Sequence, residues 1–308
     1  MGVIQIPQRC LPVLGFRLAN DCRWRLTATT PQTIPFLQRI AALMGLEQAH
    51  PSPEPSTIVR LTDRNLSVSR SSGTWRFEEH VKDPAELIQN TLAVSRLVSA
   101  ISDDTVEIQL CQVSASRTGQ TFAAWRLSLL IALHAIVRGG FVLHGALVAK
   151  EGQGLIFAGW SGAGKTTASS RLPGDWNVLT DDTVLVVPDR SGRYWAHPWP
   201  RPGTTSIERP AFRVNVNKPV VISAIFLLEK GPIDNILSLG GADAVCRLIE
   251  LAEQQLFARN SAPCPRVIRN WRLKEFENIQ SVVKQVPVRR LQLTLSGSFW
   301  DLLGDWCS

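Results

Sequence analysis

The octapeptide GWSGAGKT at residues 159–166 constrains this chain more than any other segment. It satisfies G-x-x-x-x-G-K-[ST] at every fixed position, through Gly159, Gly164, Lys165 and Thr166. The spacing has a physical cause. Glycines let the backbone curl tightly, so that successive N–H groups point inward at phosphate oxygens. Ser161, Gly162, Ala163 and Thr167 complete the set expected to surround the anion. Lys165 sets a positive charge against the outer phosphates, and the Thr166 hydroxyl can ligate Mg²⁺. With average residue frequencies the fixed positions arise by chance in roughly 1% of chains of this length. Context sharpens the reading, because an apolar strand, Leu155 to Ala158, precedes the loop and a helix-compatible run to about Leu172 follows it.

Periodicity organises the rest. Leu14 to Ala28 alternates like a hairpin, Pro35 to Leu46 has helical spacing, and residues 50–56 (HPSPEPS) read as a proline-rich loop. Strands are expected at Thr57 to Leu61, Leu66 to Ser69, Thr74 to Phe77 and Val106 to Val113. A helix is expected from Asp83 to about Ile101. Thr121 to Arg138 is an apolar helix closed by Gly139-Gly140, read as core packing. Further strands fall at Phe141 to Ala149, Val178 to Leu179, Val184 to Val187 and Val220 to Leu228, and a helix at Ala242 to Phe257. The last forty residues alternate, with Val286 to Leu295 a strand. These elements predict an α/β fold in two parts: a small α+β N-terminal domain, residues 1–119, and a nucleotide-binding α/β core, residues 120–308.

Composition limits the classes of function. An apolar fraction of 44% and a charged fraction of 19% are those of a globular protein. The most apolar stretch, Phe122 to Val137, is broken by Arg126, Ser128 and His134, short of a membrane span. The N-terminus lacks the pattern of a secretory signal, so a cytoplasmic location is expected, with no membrane partner. Six cysteines without a CxxC pair or a His at metal spacing argue against a zinc site and read as free thiols. A formal charge of +7 without a Lys/Arg run argues against nucleic acid as partner.

Two further features point to chemistry. Asp181-Asp182 follows a short apolar strand, sixteen and seventeen residues beyond Lys165. Carboxylates at a strand end are where proteins with this kind of loop hold Mg²⁺. Two adjacent acids allow one to hold the metal while the other accepts a hydroxyl proton. His144 lies in the strand expected to pair beside the one feeding the loop, where it can face the γ-phosphate; the alternative is a structural histidine. Pro188 to Thr205, rich in Pro, Gly and Trp, is expected as a surface loop. Overlapping it, Tyr194 to Ser206 either covers the site or grips a peptide, with His197 and Arg201 near phosphate, or packs its tryptophans on the core.

The segment from HGALVAK through GWSGAGKTT to NVLTDDTVLV resembles the catalytic core of the HPr kinase/phosphorylase superfamily over about residues 120–190. The likeness continues more loosely through residues 224–257 and does not reach residues 1–119. It implies a phosphoenolpyruvate-carboxykinase-like P-loop fold. It also implies that His144, Lys165, Thr166, Asp181 and Asp182 take that family's phosphate, metal and proton-transfer roles. The glycine-rich segment with an acid and Arg-Gly that HPr kinases carry after the Asp-Asp strand has no counterpart here. HPr as substrate and reverse phosphorolysis are therefore not implied. The chain resembles more the HPr-kinase-related proteins encoded with peptide-modification cassettes, such as the SynChlorMet ScmC group or lasso-peptide kinases.

The expectation is an ATP- and Mg²⁺-dependent kinase acting on a Ser or Thr hydroxyl of a peptide or small protein. Asp182 is the expected base, Asp181 and Thr166 the metal holders, Lys165 the phosphate clamp and His144 the support. ATP brings roughly four negative charges, too many for one lysine in a partly desolvated site, hence the metal. A nucleotide-binding regulatory or assembly module, an ATPase, and a kinase of a small alcohol such as free serine stay open, as does a homo-oligomeric state.

Overall fold

The structure, a computed structural model, describes residues 12–28, 30–48, 57–61, 69–71, 74–77, 106–110, 127–129, 131–200, 214–256 and 265–307. The chain opens with β1 (Val13–Arg17) and β2 (Arg23–Ala28), an antiparallel hairpin in which Leu14, Phe16, Trp24, Leu26 and Ala28 alternate inward. Helix α1 (Ile34–Met44) follows with Pro35 near its start, where a missing N–H costs nothing. It buries Phe36, Leu37, Ile40 and Met44 and stops at Gly45, whose left-handed conformation (φ 64°) ends the helical path. β3 (Glu47–Gln48), β4 (Thr57–Leu61), β5 (Ser69–Ser71), β6 (Thr74–Phe77) and β7 (Val106–Leu110) complete a sheet of order β3-β1-β2-β4-β7-β6-β5. The expected helix at 83–101 and the loop at 50–56 lie outside the described residues.

Helix α2, described over 127–129 and 131–137, leads into the second sheet. Its strands are β8 (Phe141–Lys150), β9 (Gln153–Ala158), β10 (Asn177–Thr180), β11 (Thr183–Pro188), β12 (Tyr194–Trp199), β13 (Val220–Lys230), β14 (Asn235–Ser238) and β15 (Val288–Leu293). The short helix α3 (Lys165–Ser170) follows β9, and α4 (Gly241–Leu256) and α5 (Pro265–Val283) precede β15. The sheet is mixed. β13 runs parallel to β9 and β15, whereas β8 is antiparallel to β9, β10 and β11. Since β9 also bridges β8 and β13, the strands β8, β11, β12, β13 and β9 form a closed hydrogen-bonded circuit.

Three hydrophobic clusters cover this framework. On one face Phe141, Leu143, Val184 and Val186 pack with α4 and α5 through Leu248, Leu251, Ile279 and Val282. The other face carries two clusters. The first joins Val142, Leu185, Val187 and Trp199 to α2, α1 and the β1–β2 hairpin, so one continuous core spans both sheets. The second gathers Ala146, Val148, Phe157 and Phe226 with Ala168 of α3 and the 3-10 run Phe299–Trp306.

Two expectations are corrected here. Tyr194–Trp199 is not loop but strand β12, paired along its length with β11. Proline made it look irregular. β13 pairs with β12 only at Trp195 and Ala196, so among the described residues Pro198 faces no ladder on that edge. The C-terminal forty residues do not simply alternate either, because α5 runs through Val283. Its buried stripe is Glu275, Asn278, Ile279 and Val282, and the two polar members interrupt the apolar period. Asn278 sits there for a reason: its amide donates to the carbonyls of Ile136 and Gly140, both at 2.7 Å, adding a side-chain donor where α2 ends.

His197 is a second polar joint. Fully buried, it donates from Nδ1 to the Val216 carbonyl (2.7 Å) and accepts at Nε2 from the Ala19 N–H (3.1 Å), tying the β1–β2 turn to the second sheet. Burial pulls its pKa down to about 4, with the Val216 bond opposing. Neutral in the folded chain and titrating near 6.5 when unfolded, it contributes stability that is lost as pH falls from about 6.5 toward 4. His197→Leu should lower stability by roughly 2–4 kcal/mol and flatten that acid slope, read from urea midpoints between pH 4 and 7. Buried His134, drawn down to about 3, will leave part of the slope in place.

Glu275 behaves in the opposite sense. Its Oε1 lacks a hydrogen-bond partner, and burial, then the Glu253 charge, push its pKa up to about 8 against the pull of Arg272. The folded chain holds this proton more tightly than the unfolded one, so stability falls as pH rises from about 4.5 to 8. Glu275→Gln should leave stability near pH 5 little changed and increase it at pH 8.5 by up to roughly 5 kcal/mol, read as a higher melting temperature at that pH only.

Candidate functional site

Strand β8 organises the site. Gly145 lies opposite Ala158, the last residue of β9, and its N–H donates to the Asp182 carbonyl at 2.9 Å. One residue earlier, His144 lies opposite Thr183 and its carbonyl accepts from the Gly159 N–H at 3.4 Å. The start of the glycine-rich loop, the His-Gly pair and the acid pair thus occupy two adjacent rows of one sheet. β10 and β11 flank the same edge of β8, with Thr180 opposite Leu147 and Thr183 opposite His144. Asp181 and Asp182 fill the interval between them, just past an irregularity at Val178–Thr180.

Gly145 permits this crowding. A Cβ there would stand 3.0 Å from Ile156 Cγ2 and 3.1 Å from the Phe157 carbonyl oxygen. In the row that brings β9 and the acids together, a side chain would fit only if Ile156 or the Phe157 backbone shifted by a few tenths of an ångström.

The side chains follow from strand alternation. Val142 belongs to the cluster with α2, and Ala146 and Val148 to the cluster with α3; His144 stands on the same face between them. It is 9% exposed, and its Nδ1 is 3.7 Å from Asp182 Oδ1, an ion pair whenever the imidazole is protonated. Asp182 Oδ2 accepts from Thr183 Oγ1 at 2.9 Å. Thr183 escaped the sequence reading; a hydroxyl next to an acid pair was the available signal.

In the loop, Gly162 and Gly164 take φ of 84° and 99°, conformations that other residues adopt only with strain. Lys165 is buried, and its ammonium donates to the carbonyls of Gly159 (2.8 Å) and Trp160 (3.0 Å). A buried charge requires such partners. Ala163 is half-buried, while Ser161, Gly162, Thr166 and Thr167 are exposed and Trp160 presents its indole to solvent.

His197 belongs to the joint with Ala19 and Val216, not to this site, and Arg201 lies outside the described residues. Among the described residues no cluster of three His, Cys, Asp or Glu side chains could hold a metal alone. A Mg²⁺ ion takes one or two protein oxygens and completes its shell with phosphate and water. The Thr166 hydroxyl and the Asp181 carboxylate are oxygen donors of that kind.

A family model described as SynChlorMet cassette protein ScmC matches residues 109–305, from the strand before α2 to the 3-10 run. No curated protein matches the chain. If Gly145 is kept small by the row it occupies, Gly145→Ala should cost about 1–3 kcal/mol, measured as a lowered urea midpoint. An unchanged midpoint would mean that the row has slack.

Proposed function

The chain belongs to the SynChlorMet cassette protein ScmC family, and on that premise we propose that it is an ATP- and Mg²⁺-dependent kinase of the HPr-kinase-like P-loop type. The acceptor is a Ser or Thr hydroxyl of a peptide or small protein, consistent with a cassette in which a neighbouring product is modified. One observation carries the reading: the backbone bonds to His144 and Gly145 of β8 that bring Gly159, His144 and Asp182 side by side.

In this reading the loop amides that follow Gly159, whose own N–H is bonded to His144, cradle the phosphates. Lys165 exchanges its two loop carbonyls for β- and γ-phosphate oxygens, a swap of like for like that avoids stranding the charge. Thr166 and Asp181 hold Mg²⁺, which neutralises phosphate charge. Asp182, steadied by Thr183 and faced by His144, takes the proton from the acceptor hydroxyl. The acceptor oxygen then forms its bond to the γ-phosphorus as the bond to the β-bridging oxygen breaks, and ADP leaves. His144 supports the charge of the Asp182 carboxylate and the transferred group. Positioning and electrostatics supply the acceleration.

The test is incubation with labelled ATP, Mg²⁺ and peptides encoded beside the gene. Label is expected on a peptide hydroxyl; free phosphate alone would identify an ATPase, and neither product a binding module. Lys165→Ala should cut transfer by at least about 10³-fold. Asp182→Asn should keep nucleotide affinity while lowering kcat by about 10²-fold or more. Near-normal turnover in either variant would remove that residue from its role.

A further inference from the structure

Arg171 caps the far end of α3, and no sequence signal singles it out. Its backbone N–H bonds the carbonyls of Ala168 and Ser169. Its guanidinium reaches across the chain: Nη1 donates to the Thr294 carbonyl at 2.8 Å and Nη2 to the Gly297 carbonyl. The same group lies over the rings of Phe299 (5.3 Å) and Trp300 (5.8 Å). All four partners follow β15.

The turn that receives Arg171 is itself fastened. The Thr294 N–H donates to Asp234 Oδ1 at 2.6 Å, and the Gly297 N–H to Thr294 Oγ1 at 2.8 Å. β9 and β15 flank β13 in parallel, so this turn leaves the sheet at the same end as the glycine-rich loop. Helix α3 has six residues, far fewer than the roughly 12–15 that hold a helix on their own. Its orientation therefore depends on tertiary anchors: buried Lys165 at its start, and buried Ala168 and Ser169 together with Arg171 toward its end.

We propose that Arg171 is a positioning residue for nucleotide binding, coupling α3 and the loop before it to the turn at 294–297 and the 3-10 run Phe299–Trp306. This rests on the nucleotide-site reading above and adds the C-terminal segment to the machinery that holds the loop in shape. Arg171 acts through α3 and not by touching the nucleotide. Lysine is no substitute, because one ammonium cannot present a planar fork to two carbonyls while stacking on aromatic rings.

The experiment combines calorimetry with hydrogen exchange on the full chain, using Mg²⁺ and a non-hydrolysable ATP analogue. In the wild type, the analogue should slow exchange at residues 159–167 and also at 294–300. Arg171→Lys should weaken binding roughly 10-fold and raise the nucleotide KM in step, with kcat less affected. It should also lose the added protection at 294–300 while keeping it at 159–167. A merely structural arginine would lower the melting temperature of the unliganded chain without breaking this coupling. Should Arg171→Lys not fold, Thr294→Val, which removes the acceptor for the Gly297 N–H, is read the same way. Wild-type affinity in the variant, or wild-type exchange at 294–300 that ignores the analogue, overturns the proposal alone. No uptake of the analogue by the wild type overturns the nucleotide-site reading and this proposal with it.

Discussion

Everything near the site depends on β8 having a hydrogen-bonded neighbour on each edge at the same two residues. His144 and Gly145 take Gly159 and Ala158 on one side and Thr183 and Asp182 on the other. A sheet fixes neighbouring strands about 4.8 Å apart, so this pairing brings residues thirty-eight positions apart in the chain into one small area. The loop is thereby held at its root by backbone bonds, while its tip stays exposed. Stability and chemistry are separated along the same segment. Gly159, just past β9, is bonded to His144 of the sheet, and Ser161 and Gly162 face outward.

The position of the site between two hydrophobic clusters has a consequence. His144 sits where one cluster, built with α2 and the first sheet, ends and the other, built with α3 and the C-terminal run, begins. Packing on either side defines a polar gap without a side chain from the opposite face, where α4 and α5 seal the sheet continuously. Residues in the gap can be polar because they interrupt no single core. The first sheet forms one wall through α2 and Trp199, whose ladder partner Thr183 holds Asp182.

What was legible in the sequence divides along a physical line. Elements whose buried face is uniformly apolar read correctly: the hairpin at Leu14 to Ala28, α1, β9, β13 and α4 carry their period in hydrophobic residues alone, and β8 does so apart from His144. The structure also sets His144 beside Asp182, two residues that the sequence linked only through a family resemblance. Reading failed where a buried position is polar. Glu275 and Asn278 hid α5, and His197 with Pro198 disguised β12 as a loop. Each makes sense only against a partner distant in sequence, such as the carbonyl end of α2 for Asn278 or Ala19 and Val216 for His197. Arg171 was invisible for the same reason, its acceptors lying more than 120 residues away.

These polar joints share a design logic that hydrophobic contact cannot supply. Apolar clusters tolerate sliding and repacking, since their attraction lacks direction. A buried amide, imidazole or guanidinium accepts only one geometry without leaving a donor or acceptor unpaired, at a cost comparable to a lost hydrogen bond. Asn278 fixes α5 to the end of α2, His197 fixes the first hairpin to β12, and Arg171 fixes α3 to the turn after β15. Each joins an element of one layer to a backbone group of another. Such joints are needed most where a short element must hold an orientation it could not keep alone, and α3, with six residues beside the loop, is that element.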